Sequence, residues 1–341
     1  MRGVDNPIPR AVFFVFLNMS PKQIQPAQRK AFMDKLFRSG TYISAALVFA
    51  AVVGTMAALN YGAFPALRKF GPGFLVSSEW NPVTENFGAL VAVYGTLVSS
   101  AIAMIIAIPL SFGIALFITE LAPIWLKRPV GVAIELLAAI PSIIYGMWGL
   151  FVFAPYFADH VQPWITEHTE GLPLLGPLFE GPSMGIGMFT AGLILAIMVM
   201  PFITAVMRDV FEIVPSVLKE SAYGLGATTS EVVLKVVLPY TKVGVLGGIM
   251  LGLGRALGET MAVTFVIGNA HRLHASLFMP GTTISATLAN EFTEAVGDIY
   301  TSSLLALGTI LFLVTFVVLA LGQLLVLRTR ARLVLKPEII E

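Results

Sequence analysis

Long apolar runs alternate with short polar segments along most of the chain, and this alternation predicts the secondary structure. Six runs with few or no charges are each long enough to cross a bilayer, which needs about 20 apolar helical residues. These runs cover residues 41–61, 89–118, 131–155, 187–207, 243–268 and 303–327. The pattern has no strand-like alternation and no solenoid period. We therefore predict an all-α polytopic membrane protein with six transmembrane helices.

The composition agrees with a membrane protein. Apolar residues make up 57% of the chain and charged residues 12%, about half the charged share of a soluble domain. A net charge of +1 gives no bulk electrostatic basis for binding nucleic acid. The chain has no cysteine, which excludes disulfide and thiolate chemistry. Prolines inside the second, third and fourth spans are tolerated where neighbouring helices or water satisfy the freed carbonyl groups: Pro109, Pro141 and Pro201.

Lysine and arginine residues are concentrated in alternate connecting segments. The N-terminal segment, the loop at 127–128, the loop 208–242 and the residues from 328 onward together hold 17 of them. The intervening loops hold only Arg68, Lys69 and Arg272. Because basic loops stay on the cytoplasmic side of a membrane, we expect both termini and the loop 208–242 to lie in the cytoplasm.

This pattern divides the chain into three parts. Residues 1–40 are predicted to form a basic cytoplasmic segment, residues 41–328 a six-helix transmembrane domain, and residues 329–341 a cytoplasmic tail. The apolar run 11–17 is too short to cross a bilayer and precedes no small-residue cleavage site, so we expect no cleaved signal peptide. The stretch 26–38 fits a helix lying on an anionic membrane surface and, equally, a flexible basic tail.

The polar segment between the fourth and fifth spans has the pattern of a helical hairpin. Thr228 and Glu231 form a capping-box pair at the start of a helix. The glycines in the step 224–226 suit the end of a preceding helix, because glycine tolerates left-handed backbone angles. Pro239 lacks the N–H that helix propagation needs and is predicted to stop the second helix. We therefore predict a short helix, a tight turn and a second short helix.

This hairpin resembles the EAA loop of ABC-importer permeases, which reads E-A-A, three residues, glycine, nine residues and I-x-L-P. The matching positions are Glu220, Ser221, Ala222, Gly226, Leu238 and Pro239. Ser221 replaces the preferred alanine and Val236 the preferred isoleucine, and both changes keep the size and the helical fit. In that family the loop docks into a cytoplasmic ATPase subunit, so the resemblance implies such a contact for Glu220, Ala222 and Gly226. The alternative is a solvated hairpin that only joins two spans.

The fifth span, 243–268, carries small residues and two charges on one predicted helix face. Glycines recur at every fourth position, a spacing that lets helix backbones approach closely: Gly244, Gly248 and Gly252. Arg255 and Glu259 continue this face at helical spacing. Arg255 lies 13 residues beyond Lys242, which is roughly 20 Å along a helix. It is therefore near the middle of a bilayer core of about 30 Å.

The energetic cost of a charge in the membrane restricts the environment of Arg255. That cost is at least about 2.5–3.5 kcal/mol, so Arg255 must face protein, water or a ligand rather than lipid. Either Arg255 pairs with Glu259 to fix helix packing, or it lines an anion path, since a guanidinium suits a tetrahedral oxyanion. In the second case Glu259 holds Arg255 and occupies it when no anion is present. Glu135, about one turn into the third span, is expected to form a local structural ion pair near Lys127 and Arg128.

Other candidate sites are weaker. The outward loop 156–186 contains His160, Glu167 and His168, but their spacing matches no standard metal site, so we expect no metal ligands there. The sequence contains no G-x-x-x-x-G-K-[ST] motif, so this chain is not expected to bind ATP through a P-loop. Energy for transport must then come from a partner.

Beyond the hairpin, four segments are similar to the PstC-type permease subunit of the phosphate-specific ABC importer: 111–129, 134–151, 205–229 and 247–269. The resemblance covers about residues 85–325 and implies a type I ABC-importer permease in a bacterial inner membrane. It implies a PstA-type permease as partner, two PstB-type ATPases that bind ATP and Mg, and a PstS-type phosphate-binding protein. By the same resemblance, Arg255 and Glu259 are important for phosphate passage.

Three other functions stay open at this point. An importer of sulfate, molybdate or another oxyanion would have the same architecture, because one arginine does not distinguish these anions. A secondary transporter could use Glu259 as a proton site, but the sequence lacks an inverted repeat and the hairpin would have no role. A membrane enzyme would need a catalytic cluster, which four scattered histidines and isolated carboxylates do not provide.

Overall fold

The computed structural model describes residues 21–173 and 175–334, and the described chain is almost entirely helical. This confirms the predicted all-α class. The predictions made for residues 1–20 and 335–341 lie outside the described residues.

The chain contains two units, Met1–Ala58 and Leu59–Glu341. The first helix is α1 (Pro21–Phe70). Its residues 21–58 are the described part of the first unit, and its residues 59–70 begin the second unit. It passes through residue 40 without a break, and the domain boundary there stays a prediction. Apolar side chains around its middle are exposed, as expected for a helix that contacts lipid on several sides.

Short elements and long helices alternate in the second unit. In chain order these are α2 (Gly73–Val76), β1 (Trp80–Asn81), β2 (Asn86–Phe87), α3 (Leu90–Leu116), α4 (Ile124–Ala139), α5 (Ser142–Trp148), α6 (Ala154–Tyr156), α7 (Gln162–Thr169), α8 (Gly176–Phe179), α9 (Met188–Glu212), α10 (Ser216–Gly224), α11 (Thr229–Val232), α12 (Leu238–Leu257), α13 (Met261–Thr264), α14 (Ile284–Glu291) and α15 (Asp298–Val334). The two strands form a small antiparallel ladder that the sequence did not predict.

Several helices are joined by π-helical turns, in which the hydrogen bonds are spaced by five residues. Phe117–Leu121 extends α3, and Val233–Val237 links α11 to α12. Gly149–Phe153 and Phe157–Val161 link α5, α6 and α7 into one longer helix.

Five helices in the described part of the chain are long and apolar enough to cross a membrane, and a bent pair makes a sixth if it is counted as one span. The five are Met33–Phe70, Leu90–Leu121, Met188–Glu212, Thr229–Leu257 and Asp298–Arg328. The predicted first, second, fourth and sixth spans fall on these helices with shifted ends. The third and fifth predicted spans need correction.

The predicted third span, 131–155, is not one straight helix. Its two halves, Ile124–Ala139 and Ser142–Thr169, are bent by 88° at residues 140 and 141. Pro141 provides no N–H and forces the preceding residue towards extended angles, and Ile140 has ψ 129°. Tyr145 bridges the bend, because its hydroxyl donates to the carbonyl of Leu137 at 2.9 Å.

The helix α9 lies at the centre of the second unit and packs against α3, α4 and α12. Large apolar side chains along α9, including Leu195, Ile203 and Met207, are fully buried. Gly192 lies so close to α3 that an added Cβ would be 2.5 Å from Cγ2 of Ile102. Such close approach of helices is typical of membrane proteins. Lipid provides no hydrophobic driving force between helices, so their association depends on close van der Waals packing, which small residues allow.

The helix that contains the fifth span begins and ends earlier than predicted. It extends from Thr229 to Leu257 as one span, so it begins within the predicted cytoplasmic hairpin. It ends at Gly258, the C-cap residue, ten residues before the predicted end at 268. The hairpin and the fifth span therefore share one helix.

Candidate functional site

The first helix of the hairpin, α10, ends in a glycine-dependent cap. Gly226 has φ +86°, and its N–H donates to the carbonyl of Tyr223 at 2.9 Å. The N–H of Ala227 donates to the carbonyl of Ala222 at 3.1 Å. These two bonds define a Schellman motif with glycine in the left-handed position. The prediction that glycine ends this helix is confirmed.

The second helix begins with the predicted capping box. Oγ1 of Thr228 accepts the N–H of Glu231 at 3.4 Å, and Oε2 of Glu231 accepts the N–H of Thr228 at 3.0 Å. The prediction that Pro239 stops this helix is wrong. The π-helical turn at 233–237 shifts the hydrogen-bond register just before the proline, so the helix continues through Leu238 and Pro239 into the membrane.

The hairpin presents an apolar surface that the rest of the described chain leaves uncovered. Its exposed residues are Val217, Leu218, Glu220, Ser221, Tyr223 and Leu225. Leu225, in the turn, is 90% exposed. Ala222 instead is half-buried and packs against the core. An exposed apolar patch rimmed by polar residues is typical of an interaction surface.

An ion pair fastens the hairpin to the second span. Nζ of Lys219 on α10 lies 2.6 Å from Oε1 of Glu120, whose side chain is only 6% exposed. Removing one partner of such a buried pair leaves an uncompensated charge and is strongly destabilising. The pair therefore holds α10 against the end of the second span. Sequence analysis missed it, because residues 99 positions apart share no periodic signal.

Arg255 lies in the last turn of α12, where a cation interacts favourably with the helix dipole. Its side chain is exposed, and its guanidinium carbon is 5.9 Å from the ring centre of Phe202 on α9. It forms no ion pair with any described residue. Leu251, one turn earlier, is exposed too. Because an uncovered arginine at membrane depth is costly against lipid, this face requires a polar or protein neighbour.

Glu259 is separated from Arg255 by the end of α12. Its Oε1 accepts the N–H of Ala262, in the first turn of α13, at 3.2 Å. The prediction that both charges lie on one continuous helix face is wrong, since Gly258 ends the helix and glycine is a poor helix former. No Arg255–Glu259 ion pair forms within the described residues.

The glycine stripe of α12 faces α9 of the same chain. An added Cβ would meet a β-branched side chain of α9 at each position: Val210 at 2.6 Å for Gly244, Val206 at 3.0 Å for Gly248 and Ile203 at 2.5 Å for Gly252. These distances are shorter than ordinary van der Waals contacts. The stripe therefore allows the fourth and fifth spans to pack closely within this chain.

Gly248→Leu is expected to destabilise the folded protein by about 1–3 kcal/mol, the usual cost of overpacking. The added side chain would have to displace Val206 on α9. Gly247→Leu is the matched control, because no atom lies within 4 Å of a Cβ at that neighbouring position. Thermal unfolding in detergent measures both variants. Equal melting temperatures for the two would contradict the packing argument.

The expected ion pair of Glu135 is present, but its partner lies on another helix. Oε1 of Glu135 is 2.9 Å from Nη2 of Arg208 on α9, and the same nitrogen is 2.8 Å from Asp209. Lys127 instead donates to the carbonyl of Thr119 at 2.6 Å. The partner differs from the expected basic residues because α4 packs against α9.

The histidines of the outward loop interact within their own helices. Nδ1 of His160 is 3.2 Å from the carbonyl of Tyr156, and Nδ1 of His168 is 2.8 Å from that of Trp164. The described residues contain no group of three or more potential metal ligands.

A polar and aromatic cluster on the side predicted to face outward was missed by sequence analysis. Glu291, at the end of α14, accepts hydrogen bonds from Trp80 and Tyr300 at 2.7 Å each, and lies 2.6 Å from Nε2 of His271. Burial alone raises the pKa of Glu291, but the hydrogen bonds from His271, Tyr300 and Trp80 outweigh burial and hold the pKa below its ordinary value. The cluster joins β1, which contains Trp80, to the segment that contains His271, Glu291 and Tyr300.

Together, the long apolar helices and the exposed hairpin continuous with one of them fit a membrane-embedded transport subunit. Residues 107–331 match the family described as binding-protein-dependent transport system inner membrane component, and the chain belongs to this family. It is an inner-membrane component that works with a periplasmic binding protein and an ATPase.

Within that family the chain is a PstC-type permease. It is 59% identical over 305 residues to the phosphate transport system permease protein PstC of Mesorhizobium japonicum, covering 89% of this chain and 93% of that one. The PstC of Pasteurella multocida is 60% identical over 296 residues, covering 87% and 92%. A probable PstC of Methanocaldococcus jannaschii is 39% identical over 268 residues, covering 77% and 84%.

Solved structures support the fold. A chain of a bacterial ABC transporter for import of the acidic polysaccharide alginate is similar with a TM-score of 0.55 at 15% identity. The similarity covers 90% of this chain and 99% of that chain. At this identity the likeness concerns the fold alone, and it agrees with the predicted permease architecture.

Proposed function

We propose that this chain forms one half of the translocation path of an ATP-driven, binding-protein-dependent importer of inorganic phosphate. The observation that carries the proposal is Arg255, an exposed residue in the last turn of a helix long enough to span the membrane, with no carboxylate partner among the described residues. The substrate comes from its relatives, since proteins 59% and 60% identical to this chain are named phosphate transport permeases.

Arg255 is suited to a passing oxyanion. Its planar guanidinium stays charged at physiological pH and offers several N–H donors in a fixed geometry. The face that carries it is open in the single chain, so a second permease has to complete the path on the opposite side. One arginine gives a site from which the anion can leave again, as conduction requires.

Glu259 is proposed to control Arg255 rather than to contact the anion, which a carboxylate repels. In the present conformation Glu259 is bonded to the N–H of Ala262 and leaves Arg255 unpaired. The helix break at Gly258 allows the separation of the two charges to change. Glu259 can then form an ion pair with Arg255 when no anion is present.

The hairpin is proposed to couple the ATPases to the path. The helix Thr229–Leu257 contains both the second half of the hairpin and Arg255, roughly 39 Å apart at the usual helical rise. The Lys219–Glu120 pair fixes the first half of the hairpin to the second span. A displacement of the hairpin at Glu220, Ser221 and Gly226 by a closing ATPase would therefore move the helix that carries Arg255 as one rigid body.

The partners proposed for this assembly are a PstA-type permease, two PstB-type ATPases that hold ATP and Mg, and a PstS-type phosphate-binding protein. Both termini and the hairpin are proposed to lie in the cytoplasm of a bacterium, with the membrane lipid around the six spans. This orientation follows from the basic residues of the inner segments.

Reconstitution tests the proposal. The chain and its copurifying partners are placed in proteoliposomes with ATP inside and the binding protein outside, and uptake of labelled phosphate is measured with sulfate and molybdate as competitors. We expect uptake that requires ATP and resists both competitors. Uptake without ATP would indicate a secondary transporter. Strong competition by sulfate or molybdate would leave the architecture intact and change the substrate.

A further inference from the structure

A cleft of about 280 Å³ opens between α4 and α9 on the side predicted to be cytoplasmic. Its cationic side chains are Lys127, Arg128 and Arg208, and its apolar walls include Ile118 and Val132. We call this the inner cleft. Neither the proposed anion path nor the hairpin uses it, so any role of the inner cleft is independent of the anion that the complex transports.

The charges of the inner cleft are only partly compensated. Arg208 already forms two ion pairs, since its Nη2 lies 2.9 Å from Oε1 of Glu135 and 2.8 Å from Oδ1 of Asp209. Lys127 donates to a carbonyl and keeps further N–H groups free. Arg128 is exposed and has no ion pair or hydrogen bond to any described residue. Lys127 and Arg128 therefore offer two positive charges to a ligand, against the one carboxylate of the lining, Glu212, that forms no ion pair with a described residue.

The shape of the inner cleft depends on Gly131. A Cβ at this position would lie 2.9 Å from Nη1 of Arg208. The absence of a side chain lets the Arg208 guanidinium cross the floor of the cleft to Glu135. With Arg208 neutralised there, the cations left for a ligand are Lys127 and Arg128, near the beginning of α4.

The surroundings of the inner cleft correspond to a membrane interface. Ile124 and Trp125, in the first turn of α4, are 89% and 75% exposed and lie three and two residues before Lys127. Tryptophan is enriched where the bilayer meets water. Leu121 and Val132 are exposed as well. A molecule seated between Lys127 and Arg128 would thus have polar groups at headgroup level and apolar surface beside it.

We propose that the inner cleft binds the headgroup of an anionic phospholipid such as phosphatidylglycerol. The phosphate lies against Lys127 and Arg128, the headgroup hydroxyls donate to the free carboxylate of Glu212 in the lining, and the acyl chains follow the exposed apolar residues of α4. Basic pockets between helices on the cytoplasmic side are a recognised chemistry for anionic headgroups. A soluble phosphate would gain nothing from the apolar flank.

Native mass spectrometry of the delipidated full complex tests the lipid site with phosphatidylglycerol or phosphatidylcholine added in detergent. We expect a preference for phosphatidylglycerol that falls by roughly fivefold for each cation removed, in Lys127→Ala and in Arg128→Ala. Arg68→Ala is the matched control, since Arg68 is exposed at the end of α1 and away from the cleft. Arg128→Ala keeps the test valid if Lys127→Ala folds poorly, because Arg128 forms no ion pair with any residue that the structure describes.

Three outcomes would overturn the lipid site. Arg128→Ala and Lys127→Ala could both keep the wild-type preference for phosphatidylglycerol. Phosphatidylcholine could bind as tightly as phosphatidylglycerol. Inorganic phosphate alone could displace the bound lipid at equal concentration, which would indicate a simple anion site. None of these results depends on transport, so failure of this proposal and failure of the proposed function are distinguishable.

Discussion

Arg255→Gln is expected to lower ATP-driven phosphate uptake by roughly 10- to 100-fold while the complex still assembles. A hydrogen bond to a charged group contributes about 1.5–3 kcal/mol, and each 1.4 kcal/mol corresponds to about a factor of ten. Glutamine keeps the polarity but not the charge that attracts an anion into the membrane. Because Arg255 is exposed and has no ion-pair partner among the described residues, its removal leaves no charge of this chain uncompensated.

Two further variants serve as comparisons for Arg255→Gln. Arg255→Lys is expected to give intermediate uptake, because lysine keeps the charge and loses the planar fork. Arg68→Gln is expected to transport at the wild-type rate, since Arg68 lies at the end of α1 on an exposed surface. Uptake in proteoliposomes and subunit ratios on a gel are both measured. Wild-type uptake by Arg255→Gln in an intact complex would exclude Arg255 from the path.

Gly226→Asp is expected to weaken ATPase binding by roughly 30-fold, the effect of a 2 kcal/mol interface hot spot, with uptake lost in proportion. Aspartate is one of the few residues that visit the left-handed region, so the turn at φ +86° survives. No atom lies within 4 Å of a Cβ at this position, so the chain itself does not resist the change. The negative charge of the new aspartate would lie in the proposed contact between the apolar hairpin and the ATPase and would weaken that contact.

Gly71→Asp provides the control for the hairpin. Gly71 has φ +56° and, like Gly226, nothing within 4 Å of an added Cβ, but it follows α1 on the side predicted to face outward. Copurification of the ATPase and coupled ATP hydrolysis are compared for the two variants. If both retain the ATPase at wild-type yield, the hairpin is only a connector and the docking proposal fails.

The local structures of the hairpin were predictable from the sequence because each depends on residues within one or two turns. The Thr228–Glu231 capping box and the left-handed Gly226 involve neighbouring backbone groups. The spans were predictable for a similar reason, since crossing a bilayer requires a long apolar helix wherever it packs.

Predictions that assumed regular helix geometry at a glycine or a proline were wrong. Pro239 was expected to stop a helix, but the π-helical turn before it carries the helix onward. Helical spacing put Arg255 and Glu259 on one face, but the helix ends between them at Gly258. Pro141 was counted inside one span and instead bends it by 88°. At Pro141 and Gly258 the helix is interrupted, whereas at Pro239 an irregular turn lets it continue.

The sequence by itself determined the class of the protein, its apolar spans, the caps of the hairpin and the residues that match known permeases. Only the tertiary structure decided which polar side chains meet: the ion pairs Lys219–Glu120 and Glu135–Arg208, and the contact of His271 with Glu291. It also decided that Arg255 stays uncovered. The physical reason is distance along the chain. Caps and spans follow from short-range backbone requirements, whereas ion pairs and open faces follow from how helices distant in sequence pack against one another.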